Sequence, residues 1–366
     1  MGDPLGPPAS ASLDWWLIAD QIWAGPGRWL RGHGLAMRGP VAAGGDPVPV
    51  AQIPPTARRR EFGDLVLPGL QDAHVHSGLV DLRAARAAGI AAVTDLGAVP
   101  EQVTALRAES RQFSSGLPMI QFAGAFLTAP GGYPSDRSWA APGSWRTVRS
   151  VEDAGTAVAE QAAIGAVAVK VTMNETAGPL LAPPVLAAVV AAAHAAGLRV
   201  VAHVEGEGTV DAALAAGVDV FAHTPWTETL DAARLRACAE QTVWISSLRI
   251  HERSPSAEVA RANLAGFLAA GGTVRFGTDL GNGTRPPDWI NAEEVKALFW
   301  TGMSVDDVLA AMTGPMLGSD HERSRFGAGG AVSYLGHPLA PDEKDFGPQI
   351  RSARVLDLAD IQDMEK

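Results

Sequence analysis

Two histidines stand two residues apart in VLPGLQDAHVHSG, at His74 and His76. On an extended segment a period of two turns both imidazoles to one face. Two neutral imidazoles at that spacing can hold one divalent cation. A bare His-x-His pair fits a surface loop equally well, so the reading depends on company. His203 closes RVVAHVEG, His223 closes VDVFAHTPW, and Asp279 closes VRFGTDLGNG. Taken singly, the two histidines also read as hydrogen-bonded core residues, and Asp279 as the cap of a turn. Lys170, inside AVAVKVTMNE, resists a structural explanation most, because an unpaired buried ammonium is costly. Lysine is also rare in this chain: of 29 basic residues only Lys170, Lys296, Lys344 and Lys366 are not arginine.

These residues need elements to bring them together. Apolar, β-rich runs recur at 64–70, 90–96, 119–125, 166–172, 198–204, 218–223, 242–247 and 273–278. Near-continuous apolar strands predict a sheet covered on both faces, hence parallel. Helical patterns lie between them at 100–113, 151–164, 183–197, 208–217, 230–241 and 256–272, several ending in Gly. Eight strands alternating with helices predict an α/β protein built on a (β/α)8 TIM barrel, with a doubly wound open sheet as the alternative. In a barrel the strand ends carrying His74, His76, Lys170, His203, His223 and Asp279 face one mouth. The flanks differ. Residues 1–63 are rich in Trp, Gly and Pro, and 326–358 reads as two or three short strands. Together, 1–63 and 326–366 predict a small composite β-rich domain beside a barrel spanning 64–325.

Composition narrows the function classes. The chain has 366 residues, 47% of them hydrophobic, enough to bury a large core. Its net charge of −11 argues against a generic nucleic-acid binder, which needs basic surface. A single cysteine, Cys238, rules out a disulfide framework and fits a reducing compartment. No unbroken apolar window reaches membrane-spanning length, and MGDPLGPPASASLDWW has no basic start leading into an apolar run. A soluble, cytoplasmic protein with no membrane partner is expected.

Several segments together resemble the amidohydrolase superfamily, in particular its imidazolonepropionase-like and prolidase-like branch. PGLQDAHVH is similar to that family's first-strand metal motif, and AAGIAAVTDLG to its second-strand segment. AGLRVVAHVEGEGTVDAALAAGVDVFAHTPW resembles the stretch joining its fifth- and sixth-strand ligands. FGTDLG resembles its eighth-strand aspartate motif, and AMTGPMLGSDHERSRFGAGG with AVSYLGHPL its return to the small β-domain. The likeness covers roughly 60–340. It implies two divalent metal ions, with zinc the first expectation. His74, His76 and Asp279 would take the buried ion and His203 and His223 the more exposed one. Lys170, carboxylated by carbon dioxide to N6-carboxylysine, would bridge them. A carbamate needs a neutral amine first, which an apolar strand favours, and an arginine cannot form one. Two divalent ions against a carbamate, an aspartate and one hydroxide leave the site slightly positive, suited to an oxyanion or carboxylate-bearing small molecule.

The implied chemistry is hydrolysis of an amide, peptide-like or cyclic-amide C–N bond by a metal-bridged hydroxide, with Asp279 as general base and then acid. The acid that the family's deaminases place three positions after the fifth-strand histidine is absent, since position 206 is Gly. Arg249, after the seventh run, is a candidate partner for a substrate carboxylate. Tyr133, Trp139 and Trp226 lie on loops that would line an apolar pocket. His33, His194, His251 and His321 read as structural. Three rival readings remain: a mononuclear imidazolone-type ring hydrolase, a lactonase or phosphotriesterase-like hydrolase, and a non-catalytic barrel scaffold. Homo-oligomerisation is left open.

Overall fold

The apolar runs in the middle of the chain form parallel strands with both faces covered, as their lack of polar alternation requires. Ala92–Asp95 and Ala168–Asn174 are buried at every residue. One parallel sheet runs Met119–Phe122, Ala92–Asp95, Gln71–Val75. A second has seven parallel strands in the order Trp145–Thr147, Phe126–Thr128, Ala168–Asn174, Arg199–Glu205, Val220–Phe221, Val243–Ile245, Thr273–Arg275. The computed structural model describes residues 14–252, 254–281, 288–317, 326–327, 330–340 and 343–361. His321 and part of the 311–330 motif lie outside them.

Backbone hydrogen bonds link the two sheets at two places. Ala73 N donates to Phe276 O at 2.9 Å and Asp279 N to His74 O at 2.9 Å, beside a parallel bridge between Val75 and Leu280. On the other side Val167 N donates to Phe122 O at 3.0 Å. The architecture is α/β and TIM-barrel-like, with helices between most successive strands. Pro100–Ser110, Val151–Ala163, Pro183–Ala195, Thr209–Ala216, Ala232–Gln241 and Ser256–Ala269 fall where periodicity predicts them. Ser150 caps one helix from its side chain, and Gly217 closes another with φ +85°.

The run at 64–70 departs from expectation. Leu65–Pro68 pairs antiparallel with Val332–Leu335 and parallel with Gln21–Trp23, in a five-stranded sheet of the flanks. The first strand of the parallel set is Gln71–Val75. An all-apolar run shows that both faces are covered, but not by which sheet. A second flank sheet joins Asp14–Ala19, His33–Arg38, Val41–Ala42, Val48–Pro49 and Arg59–Glu61. Trp15 and Leu17 from it pack with Ile22, Val66, Val332 and Leu356 in one apolar cluster. The 326–358 stretch contains the expected short strands Val332–Leu335 and Arg354–Val355, and also a helix, Glu343–Ile350, that the turn-rich composition concealed.

The main core lies between the parallel strands and their helices. At its centre Trp244 stacks on Phe267 at 3.9 Å between centroids, 2° from parallel. Both are fully buried. Phe267→Ala should therefore cost about 3–5 kcal/mol of stability through lost transfer energy and a cavity. Urea denaturation checks this: the midpoint should fall at unchanged slope, and a change below about 1 kcal/mol would place the stack outside the cooperative core.

Candidate metal centre

Each of the six expected residues lies within a parallel strand or in the few residues after one. His74 lies in Gln71–Val75 with His76 just beyond, Lys170 in Ala168–Asn174, and His203 in Arg199–Glu205. His223 follows Val220–Phe221, and Asp279 follows Thr273–Arg275. All six are buried. Ring centroids of His74 lie 5.1 Å from His76 and 4.7 Å from His223, and His203 lies 5.1 Å from His223. Asp279 Oδ1 stands 3.3 Å from His74 Nε2 and 3.2 Å from His76 Nε2. Ligand atoms of His74, His223 and Asp279 fall within 4.8 Å of one another. Asp279 adopts φ +53°, a left-handed conformation that Asp tolerates better than most residues, and its N–H is held by His74 O.

The imidazoles are set up as ligands. His74 Nδ1 lies 2.9 Å from Ala222 O and His76 Nδ1 3.1 Å from Gly97 O. A carbonyl only accepts, so each Nδ1 carries the proton and each Nε2 a lone pair. His74 Nε2 and His223 Nδ1 are buried without a hydrogen-bond partner among the described residues. Burial holds His74 and His223 well below the usual histidine range, and lowers His203 as well. Burial works to raise the Asp279 carboxyl, and a proton on His74, His76 or His223 outweighs it and pulls the carboxyl well below the usual range. Neutral imidazoles around a carboxylate, two with orphaned buried nitrogens, fit a divalent cation. Burial pushes Lys170 down to about 7, against the opposing pull of Asp279 and Asp95.

Buried carboxylates outside the expected set hold the loops. Asp72 accepts from His74 N at 3.0 Å, Thr278 N at 3.1 Å and the Thr278 hydroxyl, and so ties the first strand to the last. Burial outweighs those bonds and pushes its carboxyl up to about 7. Asp95 accepts from Ser77 N at 2.7 Å and Gly97 N at 2.8 Å. Glu294 accepts from Leu248 N at 3.0 Å and Arg249 N at 2.7 Å. Asp72 sits two residues before His74 in a motif the sequence already marked; Glu294 left no such signal. Gly97 has φ +149°, and a Cβ there would fall 2.1 Å from Phe126, so only Gly lets its carbonyl reach His76 over that ring.

Three half-buried aromatics gather at the histidines. Tyr133 stacks on His203 at 5.3 Å, Trp226 lies 5.6 Å from His203 and 5.5 Å from His223, and Trp139 lies 6.0 Å from His76. Arg249 is partly buried in Leu248–His251, with its backbone N–H on Glu294. The structure ties the Arg249 backbone to Glu294, and among the described residues its guanidinium makes no hydrogen bond to the histidines. His251 packs on Trp226 at 4.4 Å. His194 pairs with Asp219 at 2.9 Å, and His33 Nδ1 meets Arg31 O.

Lys170 makes the metal-free protein's stability depend on pH. Its unfolded amine takes a proton below about 10.5, the folded one only below about 7. Between those values the unfolded state binds the extra proton, so stability falls as pH drops through that window. Lys170→Met should remove roughly 1 kcal/mol per pH unit from the slope between pH 7.5 and 9.5. Unfolding curves of both metal-free proteins at several pH values check this, and equal slopes would refute the depressed amine.

No protein-family model matches the chain, and no curated protein matches its sequence. Solved structures do match its fold. Ochratoxinase from A. niger is 18% identical, with a TM-score of 0.76 over 94% of each chain. A Xaa-Pro dipeptidase is 18% identical at TM-score 0.76, over 93% of this chain and 97% of its own. Phenylurea hydrolase B is 15% identical at TM-score 0.74, over 94% and 96%. The likeness covers 93–94% of the chain, and the chain shares the fold of these three structures.

Proposed function

We propose that the chain is a metal-dependent hydrolase that cleaves an amide, peptide-like or cyclic-amide C–N bond of a small substrate. The observation that carries the reading is the gathering of four histidines and Asp279, from separate strands, in one buried centre beside Lys170. The similarity of fold to a Xaa-Pro dipeptidase, ochratoxinase and phenylurea hydrolase B supports it. The reading takes the parallel strands as a closed (β/α)8 barrel and the flanks as one small β-unit that includes Leu65–Pro68. A cytoplasmic location rests on the single buried Cys238; among the described residues no helix is long and apolar enough to cross a membrane.

His74, His76 and Asp279 would hold one cation and His203 and His223 a second, zinc being the first expectation, with Lys170 as N6-carboxylysine between them. When bound, such cations lower the pKa of a water toward about 7 and polarise the scissile carbonyl. Asp279, deprotonated among its imidazoles, takes the proton of the attacking water and passes it to the leaving nitrogen. Tyr133, Trp139 and Trp226 exclude water from the mouth and pack the substrate's apolar body. Arg249 is a candidate for a substrate carboxylate, since Glu294 binds its backbone N–H and not its guanidinium. A lactonase or phosphotriesterase-like activity uses the same residues.

One observation favours a single-ion alternative: among the described residues, the group whose ligand atoms all lie within 4.8 Å of one another is His74, His223 and Asp279. Metal counting decides. The loaded protein should contain about two zinc ions per chain by elemental analysis, and one at saturation would establish the mononuclear form. Lys170→Arg should lose metal and amidase activity as fully as Lys170→Ala, because guanidinium cannot be carboxylated. An active, metal-replete Lys170→Arg enzyme would end the carbamate model.

Asp279→Asn, assayed at measured metal occupancy, should lower kcat by about 10²–10⁴-fold, the usual worth of general acid–base catalysis. Near-native turnover would remove Asp279 from proton transfer.

A further inference from the structure

His203 is held differently from His74 and His76. Their Nδ1 atoms face carbonyls, whereas His203 places Nε2 2.9 Å from Glu205 Oε2. Glu205 is the last residue of Arg199–Glu205 and stands in register with Asn174, the last residue of the Lys170 strand. Asn174 Nδ2 donates to the same Glu205 oxygen. The Thr176 hydroxyl lies 2.8 Å from Asn174 Oδ1 and 3.3 Å from Glu205 Oε1. The chain turns sharply after Glu205: Gly206 has φ +112°, and a Cβ there would meet Glu175 at 2.6 Å. The carboxylate is therefore fixed from its own strand and from the next, while Tyr133 stacks on the His203 ring at 28°.

We propose that Glu205 is the positioning residue of His203, its carboxylate accepting the Nε2 proton so that the ring's lone pair rests on Nδ1, with Asn174 and Thr176 bracing it across the strand pair. Carboxylates that take the second ring proton of a ligating histidine fix its tautomer and orientation, and their loss commonly weakens metal binding 10–100-fold. The proposal rests on the metal-centre reading for its purpose and on the hydrogen bonds alone for its geometry. It also assigns a task to an acid placed two residues after the histidine, where the deaminase position three residues after it is closed by Gly206.

Two measurements on the full chain separate the bond from its purpose. In metal-free protein labelled with ¹⁵N-histidine, and assigned with His203→Asn, the His203 Nε2 proton should be slow to exchange. Glu205→Gln should retain that proton, because the amide oxygen still accepts, and Glu205→Ala should lose it to water. In zinc titrations against a chromophoric chelator, Glu205→Ala should weaken one binding event 10–100-fold and leave the other within about twofold, with Glu205→Gln closer to wild type. Should the alanine variant not fold, Glu205→Asp, which keeps the charge but shortens its reach, reads the same two quantities. An unprotected proton in the wild type overturns the proposal. So does unchanged zinc affinity in Glu205→Ala, or equal loss at both events. A wild type that takes up no zinc defeats the metal-centre reading instead, and the protected proton then still decides whether Glu205 holds His203.

Discussion

Keeping ionisable groups dry is the constraint on which this end of the molecule depends. Four imidazoles, an amine and a carboxylate share one water-excluded space. Burial penalises charge, so His74, His203 and His223 are driven toward neutrality and the Lys170 amine with them. A set of lone pairs around one anion is poorly satisfied by itself and well satisfied by a cation. The backbone fixes the pattern, since carbonyls of Ala222 and Gly97 decide which nitrogen of two rings points inward.

Much of this was legible because parallel strands write simply. Val200–Ala202 carries no polar residue, so His203 stands out near the end of its strand. Lys170 was legible through contrast, as a lysine in an arginine-rich chain and an apolar strand. The 64–70 run misled for the same reason: Leu65–Pro68 is buried on both faces, but by the flank sheets. The helix Glu343–Ile350 was hidden by Gly347 and the internal Pro348, which read as turn residues.

The supporting carboxylates were harder to read. Asp72, Asp95 and Glu294 accept backbone N–H groups from segments distant in sequence, Asp72 from Thr278 across 206 positions. No local pattern encodes such a partner, and an acidic residue in sequence looks the same whether solvated or buried. Their role follows from the geometry of strand ends. Loops leaving a parallel sheet present unpaired N–H groups, and a buried carboxylate can satisfy two at once.

The tryptophan pair of the first flank has a bearing on synthesis. Trp23 and Trp29 both donate to Asp306 Oδ1, at 2.6 and 2.9 Å, and Gly27 N donates to Asp306 Oδ2. Leu65–Pro68 likewise takes its antiparallel neighbour from Val332–Leu335. A ribosome making about 5–20 residues per second needs roughly 15–55 s to deliver Asp306 after Trp23. Until then the earliest strands carry their apolar faces without the elements that cover them. The strands of the N-terminal flank thus stay uncovered until Asp306 and Val332–Leu335 have been made.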